Sequence, residues 1–413
     1  MVRHSFILIL TLLTAFVASA DTDTRQQIFS PYFKTLKVQN VDVFDAPPVL
    51  RLGSDDHIEI TFDEIGEDNS FLEYRLLHCN ADWQPSALLE GEYLDGFNAV
   101  RIEDYAFSSA TYVHYVNYRI EIPNEETGIM RSGNYLLQVY NPDRPDETLL
   151  QARFKVSENS ATITGGYNAR TDRGFNDIWQ QLRVTATVEL GDGSNPYSDF
   201  RLEMTQNNND LSRRIIPVPG RVNGNQLVYD HNAQLIFPAG NEYLRFESLS
   251  NQFPGMKVDS LHYEGTNYHV WLKPDYPRAE REYQYDSTQH GRFLVREYNS
   301  TDSNIGADYI TVHFMLDMAE LPDAEIYVDA EITNGQFNDR NRMTYDRARG
   351  AYVLQMPLKQ GAYNYRYMVK GSDGDYTPLD GDKWETGNQY EVGLWKRRPG
   401  DRADSLIGFE LIQ

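Results

Sequence analysis

Apolar and polar side chains alternate in short runs along most of this chain. Representative runs cover residues 57–62, 118–122, 135–140, 182–188, 309–314 and 363–369. A period of two is typical of a half-buried β-strand. Clusters of Gly, Asn, Asp and Ser, such as those at 132–134, 223–225 and 371–375, separate the runs and predict turns. Many short strands at this spacing predict an all-β fold of sandwich domains.

The chain has 413 residues, which is too many for one hydrophobic core. We therefore expect three consecutive immunoglobulin-like or early-set β-sandwiches. The alternating pattern breaks at residues 157–160, and a charged stretch covers residues 274–289. These breaks predict domains at 21–157, 158–285 and 286–413, each of an ordinary single-core size.

The first twenty residues carry the three parts of a secretory signal peptide. Arg3 gives a basic start, residues 6–17 are apolar, and Ala18-Ser19-Ala20 resembles a cleavage site. The apolar run is shorter than the ~20 residues of a membrane span, so we expect no direct membrane insertion. Cys79 is the one cysteine, so the chain cannot form an internal disulfide. It also lies too far from the expected cleavage site to carry a lipid anchor. The sequence thus predicts an exported protein.

Net charge and aromatic content limit the classes of binding partner that we expect. The net charge is −23, so we expect no nucleic-acid partner and little attraction to anionic membranes. The chain contains 28 Tyr and 19 Phe. Aromatic residues pack well on pleated sheets, and they are also enriched at protein interfaces. We give sheet packing the greater weight.

The sequence offers little for catalysis. It lacks a Gly-x-Ser-x-Gly elbow, and His78 and Cys79 are neighbours whose side chains would point to opposite faces of a strand. The nine histidines are dispersed, without the spacing of a zinc site. The acidic residues at 373–382 lack the closing Glu of a calcium loop and are interpreted as turn residues. We predict no catalytic, cofactor or metal site, and no enzyme.

One polar segment, residues 78–98, holds more large aromatic side chains than a sandwich loop requires. Its candidate partner-binding residues are Trp83, Tyr93, Asp95 and Phe97. Loops on a rigid scaffold often carry binding surfaces. The alternative is that Trp83 and Phe97 cap the end of a sandwich, because large aromatic side chains are mostly buried. The sequence leaves both interpretations open.

A second segment resembles the early-set sandwich of glycogen-binding modules. It begins Gly335-Gln336-Phe337-Asn338 and continues into the run 361–365. Arg340 occupies the position where that pattern has a Trp. The resemblance implies the fold, and the change at Arg340 puts an aromatic platform for a sugar in doubt.

Longer stretches resemble one family throughout the chain after the signal peptide, namely the type IX secretion system plug proteins of Bacteroidota. The similar segments are VLRLGSDDHIEITFDE, YRLLHCNADWQPS, EYLDGFN, VHYVNYRIEIPNEE, SGNYLLQVYNPD, NPYSDFRLEMTQNN, NEYLRFESLS and GADYITVHFML. The N-terminal segments are the most specific.

The resemblance implies a non-enzymatic plug that binds the periplasmic mouth of the outer-membrane translocon β-barrel and seals it when no cargo leaves. A monomer bound once per barrel is what we expect for an asymmetric pore mouth. The alternative function is a periplasmic or surface glycan-binding module, suggested by the early-set segment and the many aromatic residues. An exposed aromatic platform on the third domain and retention on polysaccharide would distinguish it.

Overall fold

The computed structural model describes residues 23–42 and 46–413. The expected signal peptide, residues 1–20, lies outside this range. Within the described part of the chain, no helix is both long and apolar enough to cross a membrane. The described residues form three β-sandwiches with three large hydrophobic cores, which confirms the predicted all-β class.

The first sandwich packs a six-stranded sheet, ordered β1-β12-β11-β5-β7 with β3 beside β12, on a four-stranded sheet ordered β2-β4-β9-β8; β6 pairs with β10. Alternating apolar residues such as Ile58, Ile60 and Phe62 fill the core between the sheets. Its elements are β1 (Gln27–Ile28), β2 (Phe33–Asn40), β3 (Val49–Arg51), β4 (Ile58–Ile65), β5 (Glu73–Cys79), α1 (Glu90–Tyr93), β6 (Leu94–Gly96), β7 (Val100–Arg101), β8 (Tyr105–Phe107), β9 (Tyr115–Ile122), β10 (Thr127–Ile129), β11 (Gly133–Asn141) and β12 (Arg144–Ser157).

The second sandwich packs a five-stranded sheet, β13-β14-β18-β17 with β19 beside β14, on the four-stranded sheet β16-β15-β30-β31. Its core unites Leu182 and Leu202 with Leu394 from near the C-terminus. Its elements are β13 (Thr162–Asn168), β14 (Trp179–Thr187), β15 (Phe200–Gln206), β16 (Asn209–Ile216), β17 (Arg221–Asn223), β18 (Gln226–Tyr229), the 3₁₀ turn Ala233–Leu235, β19 (Ile236–Pro238), β30 (Tyr390–Lys396) and β31 (Ser405–Ile412).

The third sandwich packs the sheet β20-β28-β23, with β25 and β29 also on β28, against β21-β22-β24-β27-β26. Phe246, Phe314 and Tyr363 lie in its core. Its elements are β20 (Leu244–Ser248), β21 (Val258–Tyr263), β22 (Tyr268–Leu272), β23 (Phe293–Val295), α2 (Ser303–Gly306), β24 (Tyr309–Leu316), β25 (Glu325–Asp329), the 3₁₀ turn Glu331–Thr333, β26 (Thr344–Asp346), β27 (Ala351–Lys359), β28 (Gly361–Lys370) and β29 (Tyr376–Pro378).

The expected boundary at residue 285 needs correction. β30 pairs with β15 from Tyr390 to Lys396, so the end of the chain returns to the second sandwich. β20 pairs with β28, so the third sandwich already begins near residue 244. The units 158–285 and 286–413 therefore do not coincide with the cores. Alternation along a strand identifies which face is buried, but it does not reveal which distant strand lies beside it.

The sandwiches are braced against each other by buried charges. Asp63 in β4 of the first sandwich accepts a 2.8 Å bond from Lys359 Nζ at the end of β27 in the third. Between the first and second sandwiches, Glu203 contacts Lys155 Nζ at 3.1 Å. Arg213 Nε of the second sandwich lies 2.5 Å from the same carboxylate. A cavity of about 140 Å³ lies where all three sandwiches meet. These contacts join the first sandwich to the third and to the second through charged groups that are shielded from water.

Many of the tyrosines belong to the cores rather than to surfaces. Tyr363, Tyr365 and Tyr367 are each at most 2% exposed. The hydroxyls of Tyr365 and Tyr367 both donate to Asp275 Oδ2, at 2.7 and 2.8 Å. Each ring thus supplies apolar packing while its hydroxyl remains bonded, as a buried Tyr requires. For these residues, sheet packing explains the composition.

Candidate functional site

A tight loop after β5 carries the first aromatic residue of the predicted binding segment. The Trp83 N–H donates to the Asn80 carbonyl at 2.9 Å, and the Asn80 N–H donates to the Gln84 carbonyl at 2.8 Å. Trp83 adopts a φ of 67°, which is strained for a bulky side chain. This geometry folds the loop back on the sandwich.

Trp83 is a capping residue in this structure. Its side chain is 6% exposed and packs with Cys79 and Leu136. The Arg153 guanidinium, from β12, lies 4.1 Å from the ring centroid. A cation over an indole face is attracted to the ring and also shields it from water. The ring is therefore not available as a surface for a partner.

Tyr93 is also internal. It ends α1, is 4% exposed, and donates its hydroxyl to the Leu76 carbonyl at 3.1 Å. Its ring lies 5.6 Å from His78 and 6.1 Å from Tyr135. Burial raises the pKa of Tyr93 to about 12, so the hydroxyl stays protonated.

Asp95 and Phe97 lie on the surface. Asp95 is exposed in β6, and Phe97 is 72% exposed just beyond it. Between them, Gly96 has a φ of 109°, and a Cβ there would collide with the Glu126 carbonyl, so the bend requires glycine. The Phe97 N–H donates to that same carbonyl at 2.9 Å. The backbone is thus fixed while the Phe97 ring remains in solvent.

Further apolar side chains surround the same short ribbon. Leu89 precedes α1 and is 69% exposed; Met130 follows β10 and is 42% exposed. The Met130 N–H donates to the Tyr93 carbonyl at 2.9 Å, which ties it to the ribbon. Leu89, Asp95, Phe97 and Met130 form what we call the end surface of the first sandwich.

The end surface is held by the C-terminal part of the chain. Arg402 Nη1 contacts both carboxylate oxygens of Glu92, at 2.8 Å each. Asp404 accepts the Ala81 N–H at 3.0 Å. These contacts fix the segment predicted from sequence against the loop between β30 and β31. The second sandwich therefore supports the segment that carries the end surface.

Sequence reasoning missed a second group of exposed aromatic side chains. Tyr105 and Phe107 are 37% and 50% exposed along β8. Tyr112, in the loop after β8, lies 4.9 Å from Tyr263 and 5.4 Å from Tyr268 of the third sandwich, measured between ring centroids. The alternation Asp-Tyr-Ala-Phe at 104–107 was the available signal. That alternation alone does not distinguish an exposed edge strand from a buried strand.

His78 and Cys79, the adjacent pair considered for covalent chemistry, are both buried. His78 is 3% exposed, and its two ring nitrogens lie 2.9 Å from Ser86 Oγ and from the Ser132 carbonyl oxygen. Burial raises the pKa of the Cys79 thiol to about 12, so no thiolate forms near neutral pH. In the residues that the structure describes, no three His, Cys, Asp or Glu side chains are grouped to hold a metal ion.

The early-set loop of the third sandwich contacts the N-terminal segment. Phe337 stacks on Tyr376 at 4.1 Å, so one face of its ring is covered. Gln336 Nε2 donates to the Gln26 carbonyl at 3.2 Å, and Arg340 Nη1 donates to the Ile28 carbonyl at 3.5 Å. Arg340, which replaces the Trp of the sugar-binding pattern, thus faces another part of the chain.

Comparison with known proteins identifies relatives of the first sandwich and of the whole chain. The family model described as type 9 secretion system plug protein 1st domain matches residues 33–158, which cover the core of the first sandwich. A crystal structure of a hypothetical protein from Parabacteroides merdae has 35% sequence identity and a TM-score of 0.91, over 94% of this chain and 98% of that one. No curated protein matches.

Two other solved structures are remote. An alkylpurine DNA glycosylase of Pseudomonas fluorescens has 12% identity and a TM-score of 0.16, over 30% of this chain and 29% of that one. A serine-rich repeat adhesion glycoprotein of Streptococcus agalactiae has 6% identity and a TM-score of 0.12, over 91% of this chain and 96% of that one. Such scores carry no argument about fold or function.

Fold and surface together define a body of three β-sandwiches in mutual contact, with exposed apolar side chains on the first. The chain belongs to the type IX secretion system plug protein family. It is therefore a plug-type component of type IX secretion, associated with the outer-membrane part of that system.

Proposed function

We propose that this protein binds the periplasmic mouth of the outer-membrane translocon β-barrel and seals it while no cargo is exported. The observation that carries the proposal is the match of residues 33–158 to the first domain of the plug family. One copy per barrel is expected, because a single pore mouth offers one site. Export across the inner membrane would follow from the signal peptide at 1–20.

The bracing of the sandwiches supports a sealing role. A plug must resist deformation into a wide opening, and an interface well above ~1,000 Å² is expected for a specific contact. The buried pair Asp63–Lys359 joins the first sandwich to the third, and Glu203–Lys155 joins the first to the second. Since these pairs join the sandwiches directly, the three sandwiches can meet the barrel as one surface.

Reversibility has a basis in charge. The net charge of −23 favours a polar contact that depends on ionic strength. Such a contact can release when cargo or a shuttle protein competes for the same mouth. Within the end surface, Asp95 and Phe97 are the sequence-predicted residues that remain accessible, and we assign them to this contact.

An affinity experiment tests the proposal. The tagged mature protein is incubated with solubilised outer membranes, and bound partners are identified by mass. Recovery of a very large β-barrel is the expected result. Failure to recover a barrel, with retention on polysaccharide instead, would replace the plug function with the glycan-binding alternative.

Matched variants locate the contact. Phe97→Ser changes a ring that is 72% exposed on the end surface, and Phe175→Ser changes a ring of the same exposure in the second sandwich. We expect Phe97→Ser to lower barrel recovery while Phe175→Ser leaves it unchanged. Equal recovery with both variants would remove Phe97 from the interface and leave the plug function in place.

A further inference from the structure

β8 is an exposed aromatic edge of the first sandwich. Within the described residues it pairs with β9 only, which makes it the last strand of the sheet β2-β4-β9-β8. All three of its residues are exposed, including the rings of Tyr105 and Phe107. Soluble proteins usually protect such edges, because unpaired strands attract other strands.

The register fixes which backbone groups face outward. Ser108 N–H donates to the Tyr115 carbonyl at 2.8 Å, and Arg119 N–H donates to the Asp104 carbonyl at 3.0 Å. Hydrogen-bonded and non-bonded positions alternate along an antiparallel pair. Tyr105 and Phe107 are therefore the non-bonded positions, and their N–H and C=O groups point away from β9.

These groups are unpaired within the described part of the chain, in contrast to another edge strand. At β23, the Phe293 N–H donates to Glu331 Oε2 at 3.1 Å, and the Phe293 carbonyl accepts Lys37 Nζ at 2.9 Å. Side chains thus occupy that edge. At β8, two donors and two acceptors lie open at the ~7 Å repeat of a neighbouring strand.

We propose that β8 receives an extended strand from the translocon barrel by β-strand addition. The inference rests on the proposed function and names the part of the first sandwich that would engage the partner. The matching segment has apolar side chains at alternate positions, to cover Tyr105 and Phe107. The matching segment also has basic residues next to its apolar ones, because the exposed acidic residues Glu103 and Asp104 directly precede β8.

A second copy of this chain is a poorer occupant. Each chain carries a net charge of −23, so two copies repel each other. A second copy would also bring its own Glu103 and Asp104 to the edge instead of basic residues. A basic segment of a different protein satisfies both the backbone groups and the charges.

Proline substitution provides a specific test. Phe107→Pro removes an N–H that makes no bond to β9, so the native ladder is retained while the edge loses a donor. Phe107→Ala removes the ring and keeps the N–H. Val295→Pro is the matched control, because Arg296 N–H donates to the Gln360 carbonyl and Val295 is thereby an outward position of another edge strand.

Affinity for the purified barrel is measured for the wild type and the three variants, with thermal unfolding as the check on folding. We expect Phe107→Pro to weaken binding by about tenfold or more, more than Phe107→Ala does, with Val295→Pro close to the wild type. Wild-type affinity in a folded Phe107→Pro variant would overturn the inference and leave the plug function intact. No barrel binding by the wild type would overturn both.

Hydrogen exchange on the wild type gives a readout that does not depend on a variant. The Tyr105 and Phe107 amides should exchange rapidly in the free protein and at least about tenfold more slowly in the complex. Unchanged exchange at both amides in a formed complex would contradict strand addition. Protection that appears at high protein concentration without the barrel would replace the barrel strand with a second copy.

Discussion

Lys359 Nζ lies 2.8 Å from Asp63 Oδ2, and neither side chain is more than 1% exposed. The two residues belong to different sandwiches. The Tyr309 hydroxyl donates to the same carboxylate at 2.6 Å, and Lys359 Nζ also donates to the Asn304 carbonyl at 2.5 Å. Burial lowers the pKa of Lys359, and the neighbouring Asp63 opposes that shift. Each charge is therefore tolerated because the other is present.

Lys359→Met tests the brace. The variant keeps a similar volume and leaves Asp63 buried without its cation, so we expect a loss of about 3–5 kcal/mol in the free energy of unfolding. Urea unfolding measures this loss. The double variant Asp63→Asn/Lys359→Met should recover part of it, since no uncompensated charge remains. A loss below about 1 kcal/mol in the single variant would show that the brace is not needed.

Replacing Trp83 should lower the stability of the protein much more than replacing Phe97. Trp83→Ala removes a buried ring and the partner of Arg153, so we expect a loss of about 3–5 kcal/mol. Phe97→Ala changes a ring that is 72% exposed and should shift stability by about 0.5 kcal/mol or less. Thermal unfolding of the two variants measures both losses. Equal stability of the two variants would contradict the capping role of Trp83.

The sequence predicted where strands lie better than it predicted which strands pair with each other. The runs at 309–314 and 363–369 lie within β24 and β28, because alternation is local. The partner of β15 was not predictable, since β30 comes from almost two hundred residues further along the chain. Trp83 lies in a polar loop, and the residue that covers it, Arg153, is on a distant strand. Burial that depends on such long-range contacts leaves no local signal.

A truncation tests the corrected domain arrangement. A chain that ends at residue 389 lacks β30 and β31, and the second sandwich then loses core residues including Tyr390 and Leu394. We expect the amides of β14 and β15 to lose protection in hydrogen exchange, while the first sandwich stays protected. Intact protection of β15 in the truncated chain would support the linear division at 285.

His290 should make stability depend on pH. Burial, aided by Arg292, lowers the pKa of His290 to about 4. An unfolded His has a pKa of about 6.5, so as pH falls the unfolded chain binds the proton first. The free energy of unfolding should therefore fall between pH ~6.5 and ~4.

His290→Asn isolates this effect. Asn tolerates the φ of 53° at this position, so the backbone is expected to stay in place. Urea unfolding across the pH range should show a smaller acid loss in the variant than in the wild type. Parallel curves for the two proteins would show that His290 does not contribute.

The plug claim is tested most directly by conductance. The purified translocon barrel is placed in a planar lipid bilayer, and this protein is added to the periplasmic side. We predict a drop in current that depends on protein concentration and is weaker at high salt, because charge tunes the contact. A current that stays unchanged at protein concentrations sufficient for binding would contradict the account.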